Sequence, residues 1–463
     1  MNAAAARLLR HVDCRHSAEQ SGARNEEDLV RRTLLILLVV TLASGCSLSQ
    51  EPAHDHPNSM TQNGPMAQMN MEEHSGTELP SPHAGSGTGW QPASVPAYEW
   101  MWMRGGWDFM AHGVIFADYN QQGGPRGAGK AESVNWGMLM EQHKLRSGTI
   151  LFRQMFSAES LTSPHPGFPE LFQTGETYHG QQLVDHQHPH NVFAELSAFY
   201  TLPLTEKISW ELYGGPSAEP ALGPVTYLHR ASAAELPMAP LGHHLQDSTH
   251  TSFGVVTTGF MLDRVKVEAS AFNGREPNEQ RWSIQLAALD SWSGRVSVAP
   301  SRNWTAQYSI GRLEHPEALE PGSQWRQTAS AEYDRPLRDG NWVTSFVWGR
   351  VHKIATQTNL NGYLLESTLN FQKRNYVFSR LELVDKDELF LQAATHPSYR
   401  VGAYTFGGVR DVIQNPHWQL GIGADFTVYS KPAVLDPAYG NYPVSFQIFV
   451  RMRPAQTTMH HVH

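Results

Sequence analysis

The segment VSFQIFVRMR, residues 444–453, alternates between two kinds of side chain. Apolar residues hold every even position from Val444 to Met452, and the odd positions carry polar or charged side chains apart from Phe449. A period of two residues is typical of a β-strand whose faces meet different surroundings. In a soluble sandwich the apolar face would be the core, whereas in a membrane barrel it would meet lipid and the polar face would line the lumen.

The same alternation recurs along the chain from about residue 107. Residues 265–272 and 363–370 place charged side chains in mid-pattern on one face only. The pattern predicts about sixteen strands, with an error of about two because strand boundaries are hard to place. The predicted strands are residues 106–119, 131–145, 148–157, 191–202, 207–215, 250–262, 264–273, 290–299, 303–313, 326–335, 341–350, 360–371, 376–386, 398–411, 417–430 and 443–453.

The connections between these strands alternate in length. Turns after even-numbered strands are short, such as 146–147 and 300–302, and those after odd-numbered strands are longer, up to 158–190 and 216–249. This is the outer-membrane pattern of short periplasmic turns and longer external loops, and an even strand number leaves both termini in the periplasm. We therefore predict an all-β fold, a transmembrane antiparallel barrel over residues 99–453. A soluble sandwich or propeller is the alternative, but no repeat of about 40–50 residues is present.

Composition excludes several classes of protein. The 463 residues carry a net charge of −9, which leaves no electrostatic footprint for nucleic acid. Two cysteines exclude a disulfide framework. A charged fraction of 17% is too low, and an aromatic fraction of 10% too high, for a wholly disordered chain. Histidine is unusually frequent, with 24 residues, and imidazole is a common metal ligand.

Residues 1–45 are predicted to be a leader. Arg31 and Arg32 precede a short apolar run, and a small-residue site ends at Cys46. This order is typical of a secretory signal. The cysteine resembles that of a bacterial lipobox, which implies cleavage before Cys46 and its lipidation; an ordinary signal peptide with an incidental cysteine is the alternative. Residues 1–30 are mostly polar and are expected to be an over-extended start.

Residues 46–98 show no periodic pattern and are predicted to be a disordered, lipidated periplasmic tether. Methionine thioethers suit Cu(I), and imidazole suits Cu, Zn and Ni. A polar linker with incidental Met and His is the alternative. A His-rich C-terminal tail, residues 454–463, has a similar composition. The tether residues expected to capture metal are His54, His56, Met60, Met66, Met69, Met71, His74 and His83.

Histidines concentrate in and beside the two longest predicted loops. In the segment DHQHPH, residues 185–190, alternate histidines of an extended chain would converge on one ion. Imidazole and carboxylate together suit Zn, Cu or Ni, and a histidine within the first strand would serve as a relay site. A structural network that folds both loops inward as a constriction is the alternative. The candidate metal ligands are His112, His186, His188, His190, His229, His243, His244, Asp247 and His250.

Charged residues inside predicted strands are expected to face the lumen, because charge on the lipid face costs about 2–4 kcal/mol at the midplane. Opposite rows of charge would focus a field on permeating ions; paired ladders that fix the register are the alternative. Glu195 is also placed where it would join or orient a metal ligand. The expected lumen charges are Glu195, Glu268, Arg350, Glu366, Arg380 and Glu382.

Catalysis is not predicted. The segments 229–232 and 247–250 contain the Ser, His and Asp types of a hydrolase. A serine nucleophile needs a base and an orienting group within hydrogen-bond reach, and no G-x-S-x-G signature is present.

Several motifs resemble a poorly characterised family of bacterial outer-membrane barrels. The likeness covers most of residues 100–453, and it implies a role in metal stress because family members tend to be encoded near copper and other heavy-metal resistance systems. The layout is also similar to that of copper-resistance outer-membrane proteins of the B type. The resemblance identifies no substrate and no ligand residue. The motifs are GGPRG at 123–127, LVDHQHPH at 183–190, EPALGP at 219–224, DSTH at 247–250, FNGREP at 272–277 and KDELF at 386–390.

The leading functional hypothesis is metal-ion handling, most readily of copper, in the bacterial envelope. The tether would capture ions, the loop histidines would bind or gate them, and transfer or efflux would run down a gradient. The alternative is a general or solute-selective porin with structural His-rich loops, and an adhesin or anchor is a third class. No cofactor is required beyond a Cu or Zn ion. The expected partners are outer-membrane lipid, metal ions, the barrel-assembly machinery and periplasmic metal chaperones, with no nucleic acid.

Overall fold

The computed structural model describes residues 85–320, 322–390 and 397–457. The predicted leader, the lipidation site at Cys46, the metal-capturing residues of the tether and the tail from residue 458 lie outside the described residues. Those predictions therefore stay predictions.

Strands dominate the described chain, and its helices are single turns. Among the described residues, no helix has the length and apolarity needed to cross a bilayer. The helices are α1 (Glu159–Thr162), α2 (His243–Gln246) and α3 (Asp436–Tyr439). The strands are β1 (Glu99–Arg104), β2 (Trp107–Gln121), β3 (Gly129–Glu132), β4 (Asn135–Leu145), β5 (Gly148–Phe156), β6 (Phe168–Tyr178), β7 (Gln181–Gln187), β8 (Phe193–Pro203), β9 (Ile208–Ser217), β10 (Val255–Leu262), β11 (Val265–Phe272), β12 (Ser291–Ser301), β13 (Trp304–Leu313), β14 (Gln324–Leu337), β15 (Gly340–Lys353), β16 (Thr358–Phe371), β17 (Asn375–Lys386), β18 (Tyr399–Gln414), β19 (Trp418–Ser430) and β20 (Val444–Pro454).

Sixteen strands form a closed antiparallel barrel of the outer-membrane type. The ring runs from β2 through β4, β5 and β8 to β20, and β20 returns to pair with β2, where Met452 lies opposite Ile115. The short strands β1 and β3 also pair with β2. Closure pairs the backbone groups that lipid could not satisfy. The predicted barrel of about sixteen strands is confirmed.

Most predicted strands agree with the observed ones to within a few residues. The first, predicted at 106–119, is β2, and the last, predicted at 443–453, is β20. The sequence pattern missed β1 and the separate hairpin of β6 and β7. These segments lack a long two-residue period, so local alternation gave no signal for them.

The two faces of β20 have opposite surroundings. Its apolar face is open, with Ile448 56% exposed, whereas Arg451 on the other face is 0% exposed. The outward face of the barrel is therefore the apolar one, as lipid requires, and the inward face carries the charges.

A long segment fills the lumen. Residues 218–254, between β9 and β10 and called here the lumen segment, are mostly buried. Its ends are adjacent, because Ala218 and Ser252 exchange backbone hydrogen bonds of 3.0 and 2.9 Å. Three cavities beside it measure about 20, 40 and 20 Å³. Each has room for only a few water molecules.

Two glycines of the wall make room for the lumen segment. Gly349 of β15 and Gly362 of β16 lie opposite each other in register. A Cβ atom on Gly349 would collide with the backbone carbonyl of Leu245 in α2. The helix therefore packs against bare backbone at this point of the barrel.

A second segment, residues 85–97 and called here the inner strap, also lies inside. The backbone carbonyl of Thr88 accepts a hydrogen bond from Lys266, and its hydroxyl accepts one of 2.7 Å from Arg295. The side chain of Gln91 accepts a hydrogen bond of 2.7 Å from a backbone N–H of the lumen segment. The prediction of a disordered tether as far as residue 98 is wrong from residue 85 onward, because cations of the wall bind this stretch.

The hairpin of β6 and β7, called here the cap hairpin, covers the end of the barrel that carries the longer loops. Asn120 of β2 donates a hydrogen bond of 2.7 Å to the carbonyl of Pro169. Lys386 of β17 donates one of 2.9 Å to the side chain of Gln173. Strand β6 of the cap hairpin thus contacts two different strands of the wall, β2 and β17.

Replacing Ile448 with Arg tests the lipid-facing surface. We expect the substitution to lower the free energy of unfolding by about 2–4 kcal/mol, because it places a charge near the midplane. Urea unfolding of the protein in lipid vesicles measures this value. Val444→Arg at the end of the same face is the matched control, with an expected loss of about 0–1 kcal/mol. Equal losses in the two variants would show that this face does not cross a bilayer.

Replacing Gly349 with Val tests the packing of α2 against the barrel wall. The added side chain overlaps the helix backbone, and we expect the lumen segment to be displaced. Arg230 is the only Lys or Arg of that segment, so trypsin cleavage after Arg230 reports its exposure, and we expect cleavage to be about tenfold faster. Gly137→Val is the control, because a Cβ atom there meets nothing within 4 Å. Unchanged cleavage in Gly349→Val would contradict the contact.

Candidate metal centre in the lumen

Charged pairs hold the lumen segment against the wall. Arg230 Nε lies 2.9 Å from Glu366 Oε2, and the second oxygen of Glu366 lies 2.7 Å from Arg380 Nε. Glu382 accepts hydrogen bonds of 3.1 and 2.9 Å from the backbone N–H groups of Leu241 and Gly242. Each of these buried wall charges therefore has a partner, which burial requires.

Five histidines line one cavity of about 20 Å³ between the lumen segment and residues 176–191. The ring centres of His243 and His250 lie 4.9 Å apart, and those of His190 and His250 lie 5.2 Å apart. His244 lies 5.1 Å from His243 and 5.6 Å from His188. Segments distant in sequence thus bring one type of ligand to one place.

Three of these imidazoles are oriented through Nδ1. His190 Nδ1 lies 2.7 Å from the Glu159 carboxylate, and His243 Nδ1 contacts the Asp247 carboxylate. His250 Nδ1 lies 2.9 Å from the backbone oxygen of Asp247. Carboxylate and carbonyl oxygens only accept hydrogen bonds, so each Nδ1 carries the proton in the neutral ring and Nε2 presents a lone pair. Metal-binding histidines are usually oriented by hydrogen bonds of this kind.

The Nε2 side of these rings is only lightly engaged. His250 Nε2 is buried without a hydrogen-bond partner among the described residues. His190 Nε2 lies 3.4 Å from the hydroxyl of Tyr227. Tyr227 also faces His243, with ring centres 5.2 Å apart. Three imidazoles and one hydroxyl therefore lie next to one another in the lumen.

The other two histidines have structural contacts. His188 Nε2 lies 2.9 Å from Glu176, which also pairs with Arg281. The ring of His244 lies against Gly175, whose φ is +115° and where a Cβ atom would come within 2.6 Å of the ring. The contact of His244 joins the cap hairpin to the lumen segment, and that of Arg281 joins it to the loop between β11 and β12.

Burial favours the neutral form of three of the five imidazoles. It lowers the pKa of His188 to about 4 and the pKa values of His244 and His250 well below 6.5. Burial has the same effect on the pKa of His229, which lies nearby. The neutral imidazole is the form that binds a metal ion.

The neighbouring acids are ionised. Burial opposes ionisation of Glu176, but the charges of Arg281 and His188 outweigh it and lower its pKa to about 2. Burial likewise opposes ionisation of Asp247, and His243 lowers its pKa to about 2. An ionised Asp247 strengthens the hydrogen bond that orients the His243 ring.

The three rings are spaced more widely than the ligands of a bound ion. Tetrahedral nitrogen ligands at about 2.0–2.1 Å from Zn²⁺ lie about 3.3 Å apart. Among the described residues, the group with three donor atoms within 4.8 Å of one another is instead Glu317, Glu320 and Glu388. Lys353 occupies that acidic group, with its Nζ 2.6 Å from Glu320 and 3.6 Å from Glu388. Among the described residues, the donor atoms of His190, His243 and His250 do not come that close together, so an ion there would require the rings to move.

Two predictions about the histidines need correction. The expected convergence of alternate histidines is wrong, because β7 ends at Gln187 and the two-residue alternation does not continue through His188. His186 contacts its own backbone, with Nδ1 3.2 Å from the carbonyl of Val184. His112 of β2 and His229 of the lumen segment do not line the cavity of the five histidines, and their ring centres lie 5.5 Å apart.

Most of the expected lumen charges lie on the buried face, and Arg350 does not. In β15 the odd-numbered residues face inward, so Arg350 faces outward beside the longer loops, where it donates a hydrogen bond of 2.7 Å to Asn359. Strand phase places it there, and its position near the strand end lets the charge reach the interface. The buried expected charges are Glu195, Glu268, Glu366, Arg380 and Glu382.

Glu195 does not join the metal cluster. Its carboxylate accepts hydrogen bonds of 2.6 Å from Ser197 and 2.8 Å from Tyr213. Sequence reasoning also missed Glu159 and Tyr227, which contact His190. Neither residue has a spacing that links it to the histidines, so no local signal could have identified them.

No family model matches the chain. No curated protein matches it either. Among solved structures, the chain is similar to an anion-selective porin from Comamonas acidovorans, at 10% identity and a TM-score of 0.48 over 75% of this chain and 99% of that chain. It is also similar to OprB of Pseudomonas putida, at 9% identity and a TM-score of 0.49 over 75% and 94% of the two chains. A Salmonella typhi OmpF complex with daunomycin gives 9% identity and a TM-score of 0.46 over 76% and 100%. At these identities the likeness concerns the fold alone, and the chain's own strand pairing makes it a closed sixteen-stranded antiparallel barrel of the outer-membrane type.

Proposed function

We propose that this protein is a passive channel of the outer membrane and that the lumen segment is its gate. One observation carries the proposal: the lumen segment fills a barrel with a charged inner wall, yet none of residues 219–251 belongs to a strand paired with that wall. Its contacts with the wall are packing, ion pairs such as Arg230 with Glu366, and hydrogen bonds that involve side chains, and water can take the place of these hydrogen-bond partners. A sixteen-stranded barrel without such a segment encloses an aqueous channel.

A deletion tests the gate. Ala218 and Ser252 already face each other across an antiparallel bridge, so residues 219–251 can be replaced by a two-residue Asn-Gly turn. In planar bilayers with KCl, we expect the native protein to be mostly closed and the deletion variant to conduct steadily. The increase should be at least about tenfold, because conductance follows the open cross-section.

The matched control is Arg312→Gln, which changes an exposed ion pair with Glu314 and leaves the lumen intact. Its conductance should equal that of the native protein. A deletion variant that folds and still does not conduct would rule out the lumen segment as the gate, and steady conductance of the native protein would do the same.

We further propose that the gate binds a divalent metal ion through His190, His243 and His250. The specific observation is that all three Nδ1 atoms face hydrogen-bond acceptors. The Nε2 atoms of the three rings are thereby left as ligands, and the Tyr227 hydroxyl lies 3.4 Å from that of His190. Because His190 lies outside the lumen segment and the other two lie within it, a bound ion would fasten the gate.

Cobalt absorption tests this site. Tetrahedral Co²⁺ bound to imidazoles gives visible ligand-field bands, and Zn²⁺ should displace it. We expect saturable bands in the native protein and their loss in the variant His190→Gln/His243→Gln/His250→Gln. His186→Gln is the control, because this ring lies in the same part of the chain but outside the cluster. Bands that persist in the triple variant would place the metal elsewhere.

The finer role in copper handling is also a proposal. A passive barrel has no energy source, so ions would move down a gradient, for efflux or uptake alike. The predicted capture by the tether, the predicted lipidation at Cys46 and the resemblance to barrels associated with copper resistance are consistent with this role. A general porin remains the alternative, and it requires only the channel and its gate.

We infer transport and not catalysis. The hydroxyl of Ser248 accepts a hydrogen bond from Arg326, and the hydroxyl of Ser232 donates one of 3.1 Å to Glu366. Neither contact is the hydroxyl–imidazole pair that activates a serine. The contacts support a structural role for both hydroxyl groups.

A further inference from the structure

We propose a second, separate metal site in the lumen, which binds a soft monovalent ion such as Cu(I) or Ag(I) through Met138, Met155 and His229. His112 and Trp136 complete its walls. The site lies where the lumen segment meets β2, β4 and β5, and it does not depend on the three-histidine site proposed above.

Strand register builds one side of the site. Met138 of β4 lies opposite both His112 of β2 and Met155 of β5. Residues directly opposite on one face of an antiparallel pair have Cβ atoms about 4.5–5.5 Å apart. Both methionines are buried on the lumen face, at 2% and 4% exposure. The wall therefore presents an imidazole and two thioethers in one row.

The lumen segment supplies the opposite side. His229 Nε2 lies 3.4 Å from the sulfur of Met155. The His229 ring centre is 5.5 Å from that of His112 and 4.5 Å from the indole of Trp136. One imidazole nitrogen is thus already beside a thioether of the wall, with an aromatic ring next to it.

The chemistry of these groups favours a soft ion of low charge. Thioether sulfur binds Cu(I) well, and imidazole tolerates it, whereas neither Mg²⁺ nor Ca²⁺ is held by sulfur. The row continues from Met155 to Glu195 of β8, but that carboxylate accepts hydrogen bonds from Ser197 and Tyr213. The remaining ligands, Met138, Met155 and His229, are then two thioethers and an imidazole whose pKa burial lowers well below 6.5.

Ordinary packing is the competing explanation for the methionines. Methionine fills irregular gaps, and Met110 and Met140 belong to the same buried cluster. These two lie opposite each other one row away, and Met140 faces Arg153 in the next strand. The two methionine pairs share burial and neighbouring strands, so Met110 and Met140 are matched controls for Met138 and Met155.

Silver binding to the full chain tests the inference. Ag⁺ serves as the probe because it needs no reductant. In protein labelled with ¹³C in the methionine ε-methyl groups, we expect the Met138 and Met155 signals to shift together and to saturate. The Met110 and Met140 signals should stay in place. Single Met→Leu variants assign the four signals with nearly unchanged volume.

A His229→Gln variant provides the second arm. We expect the Ag⁺ concentration that half-saturates the shifts of the Met138 and Met155 signals to rise by at least about tenfold, since the variant lacks one of three ligands. Zn²⁺ should leave these signals unmoved, and the variant that lacks His190, His243 and His250 should retain the Ag⁺ response. Failure of the Co²⁺ experiment would therefore not affect this one.

Three results would overturn the proposal. The first is an Ag⁺ titration that shifts other methionine signals but neither Met138 nor Met155. The second is an equal shift of the Met110 and Met140 signals, which would indicate nonspecific thioether binding. The third is an unchanged response in folded His229→Gln protein.

Discussion

Closure of the sheet is the constraint on which this structure depends. Lipid offers no hydrogen-bond partner, so the backbone edges of β2 and β20 must satisfy each other. Once they pair, every strand has a fixed outside and inside, and a one-residue shift would move its charged face into lipid. The period of two residues in the sequence is the direct consequence. Arg350 follows the same rule. Its even-numbered position in β15 directs it outward although it is charged, and its place near the end of the strand makes this possible.

Closure also creates a second problem, because the inward charges are buried once the lumen is filled. Arg230 of the lumen segment meets Glu366 of the wall, and Thr88 of the inner strap meets Arg295. Removal of Glu366 would leave the buried guanidinium groups of Arg230 and Arg380 without the carboxylate that they share. The filled lumen and the charged wall therefore stabilise each other, and the side-chain character of the contacts makes a movable gate physically reasonable.

The histidines illustrate how far sequence reasoning reaches. Their density correctly pointed to the two long loops, and those loops do meet. The expected grouping by linear spacing failed, because His186 belongs to β7 and His188 does not. Glu159 and Tyr227 could not be anticipated, since their contacts with His190 arise only when both loops fold inward. The alignment of His112, Met138 and Met155 across three strands could not be predicted from the sequence, because it depends on strand register.

The sequence by itself determined the barrel, its approximate strand number and which face of each long strand is polar. These properties are local, since alternation and connection length can be counted along the chain. Only the tertiary structure decided that a long segment lies inside the lumen, that the inner strap is ordered and which histidines come together. Those properties depend on contacts between distant segments, such as Arg230 with Glu366, and no local pattern encodes the partner of a buried charge.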